Sequence, residues 1–129
     1  MKVYEGVRDP EEPNAAGECV VFVNGQTLPP GPSLKVRNHS PTGFSWGYGG
    51  SGPAQLALAI MLDHFDGNAS RAQSYYQDFK WKHVARWPQD AGWKITQAEI
   101  AAFVIQRDTE QPERRNDGRG DGSQEGESL

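Results

Sequence analysis

One stretch constrains the fold more than any other: Pro53-Ala54-Gln55-Leu56-Ala57-Leu58-Ala59-Ile60-Met61-Leu62. Proline is favoured at the first position of a helix. The residues after it are helix formers and apolar on nearly every side, the pattern of a helix buried all round. The spacing predicts a helix from Pro53 to Phe65, stopped at Asp66-Gly67-Asn68, with Gly67 as a left-handed cap. Its apolar run, Leu56 to Leu62, is far short of the roughly 20 residues that span a membrane. The rest of the chain must therefore wrap this helix.

The first half reads as strands. Residues 2–7 alternate weakly, with Val3, Glu5 and Val7 opposite Tyr4 and Gly6. An acidic, proline-containing loop follows over residues 8–17. Cys19-Val20-Val21-Phe22-Val23 is rich in β-formers, and Asn24-Gly25 supplies the positive φ angles of a tight hairpin. The return arm, Gln26-Thr27-Leu28, stops at Pro29-Pro30-Gly31-Pro32, so it belongs at a sheet edge. A second β pair is expected from Leu34-Lys35-Val36-Arg37 and Phe44-Ser45-Trp46-Gly47-Tyr48, with Phe44, Trp46 and Tyr48 on one face.

The second half reads as helices. Asn68 can cap a helix reaching about Arg86, on which Ala72, Tyr75 or Tyr76, Phe79, His83 and Trp87 recur at helical spacing. Trp81 lies off that stripe and is expected at the surface. Trp93-Lys94-Ile95 is extended. Thr96-Gln97-Ala98-Glu99 has the form of a capping box, opening a helix to about Gln106 that buries Ile100, Phe103 and Val104. The fold class is α+β: a small, mostly antiparallel sheet packed by two to three helices. Residues 1–106 form one domain. Residues 107–129 carry four Arg and seven acids and are expected to be a disordered acidic tail.

Composition narrows the function classes. The net charge is −4, of which the tail holds −3, so residues 1–106 are nearly neutral. That argues against a surface that is basic throughout, as in many nucleic-acid binders. A lone cysteine, Cys19, excludes a disulfide framework and reads as a small buried strand residue. Three scattered His and one Cys make a poor metal set, and neither a metal nor a cofactor is expected. The charged N-terminus lacks a signal-length apolar core, which makes a cytoplasmic location the expectation.

Two segments could carry function. In Gly47-Tyr48-Gly49-Gly50-Ser51-Gly52-Pro53 a glycine-rich turn feeds a helix N-terminus, whose unpaired N–H groups suit an anion. His39, Ser40, Gly49, Gly50, Ser51 and Gly52 are the candidate ligand-binding residues. The turn lacks the Lys-Ser/Thr of a phosphate-binding P-loop. It spells G-x-G-x-x-G, but has no acid near position 72 for a ribose. It also approximates the nucleophile elbow G-x-S-x-G, which makes a small hydrolase or transferase using Ser51 or His39 an alternative. The other segment is the helix over 69–86. Arg71, Lys80, Lys82 and Arg86 stand among Tyr75, Tyr76, Phe79, Trp81 and Trp87, and cations beside aromatics can hold phosphates and stack bases. Arg71, Lys80, Trp81, Lys82 and Arg86 are the candidate interface or nucleic-acid residues.

The opening Met1-Lys2-Val3-Tyr4-Glu5-Gly6, the Val21-Phe22-Val23-Asn24-Gly25 hairpin, the segment Ser40-Pro41-Thr42-Gly43-Phe44-Ser45-Trp46-Gly47-Tyr48-Gly49-Gly50-Ser51-Gly52-Pro53-Ala54-Gln55-Leu56-Ala57 and Tyr76-Gln77-Asp78-Phe79-Lys80-Trp81 resemble a small bacterial, phage and plasmid family classed as a domain of unknown function. The resemblance spans about residues 1–106. It implies a prokaryotic or mobile-element origin and brings no catalytic residues. The expectation is a non-enzymatic binding module for a protein partner or a small, nucleotide-like anion, with nucleic acid as an alternative partner and no membrane.

Overall fold

The computed structural model describes residues 1–9, 18–41 and 43–110. Strands β1 (Val3–Asp9), β2 (Glu18–Val23), β3 (Gln26–Thr27) and β4 (Trp93–Thr96) form one antiparallel sheet in the order β3-β2-β1-β4. The helices are α1 (Gly31–Val36), α2 (Ser51–His64), α3 (Ala69–Lys82) and α4 (Gln97–Glu110), with a 3-10 turn at Val84–Arg86. The fold is α+β, with one helix more than the two to three expected.

The hairpin forms as its sequence demands. Asn24 and Gly25 have φ of 51° and 83°, a pair of left-handed residues whose twist matches that of the flanking strands. Register places Gly6 opposite Val21 on one side and Trp93 on the other. The Trp93 indole lies across Gly6, where a Cβ would sit 2.1 Å from Nε1. Glycine is therefore the residue that lets this ring lie flat on the sheet.

Helix α2 runs through the centre: every residue from Gly52 to Leu62 is buried. The core joins Leu56, Ile60 and Met61 to Tyr4, Val21 and Ile95 of the sheet, to Tyr76 and Phe79 of α3, and to Ile100 and Phe103 of α4. Asn68 caps α3, its Oδ1 accepting from Arg71 N at 3.0 Å. Thr96 and Glu99 make the reciprocal bonds of the capping box, Thr96 N to Glu99 Oε1 at 2.8 Å and Glu99 N to Thr96 Oγ1 at 3.1 Å.

Three expectations are corrected. The second β pair does not form. Residues 31–36 are helix α1, because Pro30 and Pro32 hold φ near the helical value and Pro32 occupies the first turn. Phe44 to Tyr48 is irregular: Gly43 and Gly47 have φ of 123° and 92°, conformations that interrupt a strand, and Gly47 N donates to Val84 O. The aromatics consequently divide. Trp46 is fully buried with Nε1 donating to Ala91 O at 2.8 Å, whereas Tyr48 is 42% exposed. Helix α2 begins two residues earlier than expected, at Ser51.

The last helix also runs past Gln106, and Arg107 and Asp108 belong to the folded domain rather than the tail. Arg107 is buried and bonds Asp78 at 3.1 Å and Ser74 O at 2.7 Å. Asp108 accepts from the Tyr75 hydroxyl at 2.8 Å. The remainder of the proposed tail, 111–129, lies outside the described residues, as does the acidic loop between β1 and β2 over 10–17.

Candidate binding surface

The glycines at the head of α2 leave room for side chains that pack directly on their backbone. A Cβ on Gly49 would stand 2.3 Å from the Trp81 ring, one on Gly50 2.6 Å from the Tyr48 ring, and one on Gly52 2.7 Å from Ser45 Cβ and 3.2 Å from the Tyr48 hydroxyl. Gly49 and Gly50 each seat an aromatic ring that would otherwise be displaced, and Gly52 lets Ser45 approach. Trp81 and Tyr48 nevertheless keep 58% and 42% of their surface exposed. They are fixed from beneath and open from above.

Lys80 completes this arrangement. It is buried, and its Nζ donates to Gly49 O at 3.3 Å while standing 4.2 Å from the Trp81 ring centroid. Loss of hydration lowers its pKa. The cation thus holds the turn with one interaction and the indole with another. The two candidate segments, separated in sequence by some 30 residues, are one surface in space.

His39 and Ser40 lie beside it but are engaged internally. Both backbone N–H groups donate to Gln55 Oε1, at 2.7 and 3.0 Å. Gln55 Nε2 donates to Ser33 Oγ and to Arg37 O, at 2.9 and 3.1 Å. The side chain of Gln55 is fully buried and uses its whole amide to tie the 37–40 segment onto α2. The amides of His39 and Ser40 therefore do not form an anion cradle. The His39 ring shares a hydrogen bond with the Tyr76 hydroxyl at 2.8 Å. Its pKa is lowered by burial, then by the neighbouring Arg37 and Lys80.

Ser51 is exposed at the first position of α2. Among the described residues no side chain hydrogen-bonds its hydroxyl. The imidazoles are held elsewhere: His39 on Tyr76, His64 against Phe65 and His83 between Phe79 and Phe103. A serine nucleophile requires a base within hydrogen-bond reach, so the geometry gives no support to the hydrolase alternative.

Lys82 and Arg86 continue the surface past Trp81. With Asp78, Phe103, Gln106, Arg107 and Glu110 they line a groove of about 410 Å³ between α3 and α4. Its Asp78 is paired with the buried Arg107, while Lys82 and Arg86 are exposed. Arg71 does not join them. It sits in the first turn of α3, its guanidinium 4.5 Å from the centroid of the Phe65 ring, nine residues from Lys80 and so about 13 Å away along the helix axis.

Sequence reasoning missed Gln55, Tyr48 and Tyr76. A lone amide in an otherwise apolar helix was the available signal for Gln55, since a buried polar side chain must find partners. Tyr48 and Tyr76 fall inside the two candidate segments but are not among the candidate contact residues there.

Fold and surface together define an α+β domain with an aromatic, cation-bordered face. The chain belongs to a family of unknown function, DUF6166, whose profile matches residues 4–106. No curated protein and no solved structure matches it. Among the described residues no helix is long and apolar enough to cross a membrane.

Proposed function

We propose that the protein is a non-enzymatic binding module whose contact surface is the 48–52 turn together with the Lys80–Lys82 end of α3 and the 3-10 turn that carries Arg86. One observation carries this reading: two aromatic rings are held in place on bare glycine backbone while remaining substantially exposed. A free surface Trp would lose rotamer freedom on contact with a partner. A ring already fixed by Gly49 and Lys80 has less to lose, and such preorganisation raises affinity. Trp, Tyr and Arg are also the side chains that dominate interface energetics.

The test is site-specific photocrosslinking in cells, with p-benzoylphenylalanine at Lys82 on this surface and at Ser70 on the opposite end of the same helix. The expected result is a discrete adduct from position 82 that disappears when Trp81→Ala is added, and none from position 70. Adducts that ignore Trp81→Ala, or that form equally at both positions, would refute the reading.

A further inference from the structure

The near-neutrality of the domain conceals a segregation of charge. Between Cys19 and Gln89 the chain carries six Lys or Arg (Lys35, Arg37, Arg71, Lys80, Lys82, Arg86) and three acids, and no acid at all occurs from Cys19 to Leu62. Two of those acids are neutralised within the fold: Asp63 by Lys2 at 3.0 Å and Asp78 by Arg107 at 3.1 Å. The third, Asp66, lies just beyond the C-terminal end of α2, away from the glycine turn at its head. The acids that offset these cations fall in residues 1–18 and 90–129.

Cations stand on both sides of Trp81 around α3. Arg37 contacts Gln73, His39 contacts Tyr76, and the Gly49 carbonyl contacts Lys80. Positions 73, 76 and 80 share a helix face and span about 10 Å along its axis. Trp81 stands about 100° round the helix from position 80 and Lys82 about 200°, so Lys82 faces the groove toward α4 on the other side of the ring, with Arg86 following in the 3-10 turn. Carboxylates do border this surface: Glu110 stands in the groove, accepting from Gln106 at 3.3 Å, and Asp90 follows Gln89, which packs on Gly47.

Resting on the surface proposed above, we infer that its ligand is a single-stranded nucleic acid, with bases stacking on Trp81 and Tyr48 and phosphates held by Arg37, Lys82 and Arg86. Three observations favour this over a protein partner. Two exposed aromatics, Trp81 and Tyr48, are each packed on one of two consecutive glycines, Gly49 and Gly50. Exposed Lys is depleted in protein–protein interfaces but suits a phosphate backbone. Arg37, Lys82 and Arg86 are exposed around these rings, whereas the chain's excess of acids falls in residues 1–18 and 90–129. A duplex keeps its base faces inside, so fixed, exposed rings select a strand whose bases are free to stack.

The experiment is fluorescence anisotropy with fluorescein-labelled 15-mers of oligothymidylate and oligouridylate, and a 15-bp duplex, against the full chain. Saturable binding to at least one single strand, tighter than to the duplex, is expected. Trp81→Ala should weaken it by roughly 5- to 150-fold, the range for loss of one stacked base, whereas Trp81→Phe retains most of it and Arg71→Ala leaves it unchanged. Replacing Lys82 and Arg86 by Ala should reduce the slope of log K against log salt by about 1.4, since each phosphate contact to a single strand contributes about 0.7. No saturable binding at 50 mM salt, or binding indifferent to Trp81→Ala, overturns the inference. Should oligonucleotides fail while the position-82 crosslink persists and resists nuclease, the surface stands and its ligand is a protein. Should both fail, the surface itself is wrong.

Discussion

Replacing Gln55 by Leu should cost the protein a large part of its stability, and the amount follows from its hydrogen bonds. The side chain is fully buried within α2 and satisfies two N–H donors, His39 and Ser40, and one carbonyl, that of Arg37. Ser33 Oγ keeps its bond to Pro30 O, so three backbone groups are orphaned. Each stranded group costs about 1–3 kcal/mol. The 37–40 segment is partly exposed, so water recovers part of the loss and the lower end applies. The expected penalty is about 3 kcal/mol against a total stability of about 5–15 kcal/mol for a domain of this kind. In urea, with a slope of about 1.5 kcal/mol per M, the midpoint should fall by about 2 M. Amide exchange should accelerate selectively at His39 and Ser40. A penalty below about 1 kcal/mol, below the range for stranding even one buried group, together with unchanged exchange at those two amides, would show that Gln55 does not hold this segment.

Gly6→Ala should overpack the sheet. Its Cβ would fall 2.1 Å from a Trp93 indole that is stacked on Trp87 at 4.0 Å and edge-on to Trp46 at 5.7 Å. A ring so confined cannot swing aside, and a loss of about 1–3 kcal/mol or more is expected in denaturant melts; a neutral substitution would contradict the packing. Stability should also decline as pH falls from 7.5 to 5.5. His39, His64 and His83 all have pKa values lowered chiefly by burial. The unfolded chain, titrating near 6.5, therefore binds more protons than the folded one below that pH. The contribution is complete above the unfolded pKa and is lost on acidification toward the folded values. Equal urea midpoints at pH 7.5 and 5.5 would show that these rings are not desolvated.

The elements fixed by local chemistry were legible. Asn24-Gly25, Asn68 and the Thr96–Glu99 box each settle a boundary through bonds reaching only a few residues, and all three appear as read. The central helix was legible because an apolar surface on every side has one physical resolution, burial. Leu34 to Arg37 was misread because four alternating residues fit a strand or a helical turn equally well, and the flanking prolines decided it. Arg107 was misread because its burial depends on Asp78 and Ser74, 29 and 33 residues away. The exposure of Trp81 could be anticipated from helical spacing. Its seat on Gly49 could not, since that contact joins two segments whose proximity only the packing of α2 against α3 creates.

The union of those segments is the claim on which the binding surface depends, and a nuclear Overhauser spectrum of the folded protein tests it directly. Cross-peaks between the Trp81 Hη2 or Hζ3 protons and the Gly49 α-protons are predicted, with those α-protons displaced by the indole ring current. A Trp81 ring free of Gly49, averaging over several rotamers in solution, would contradict it.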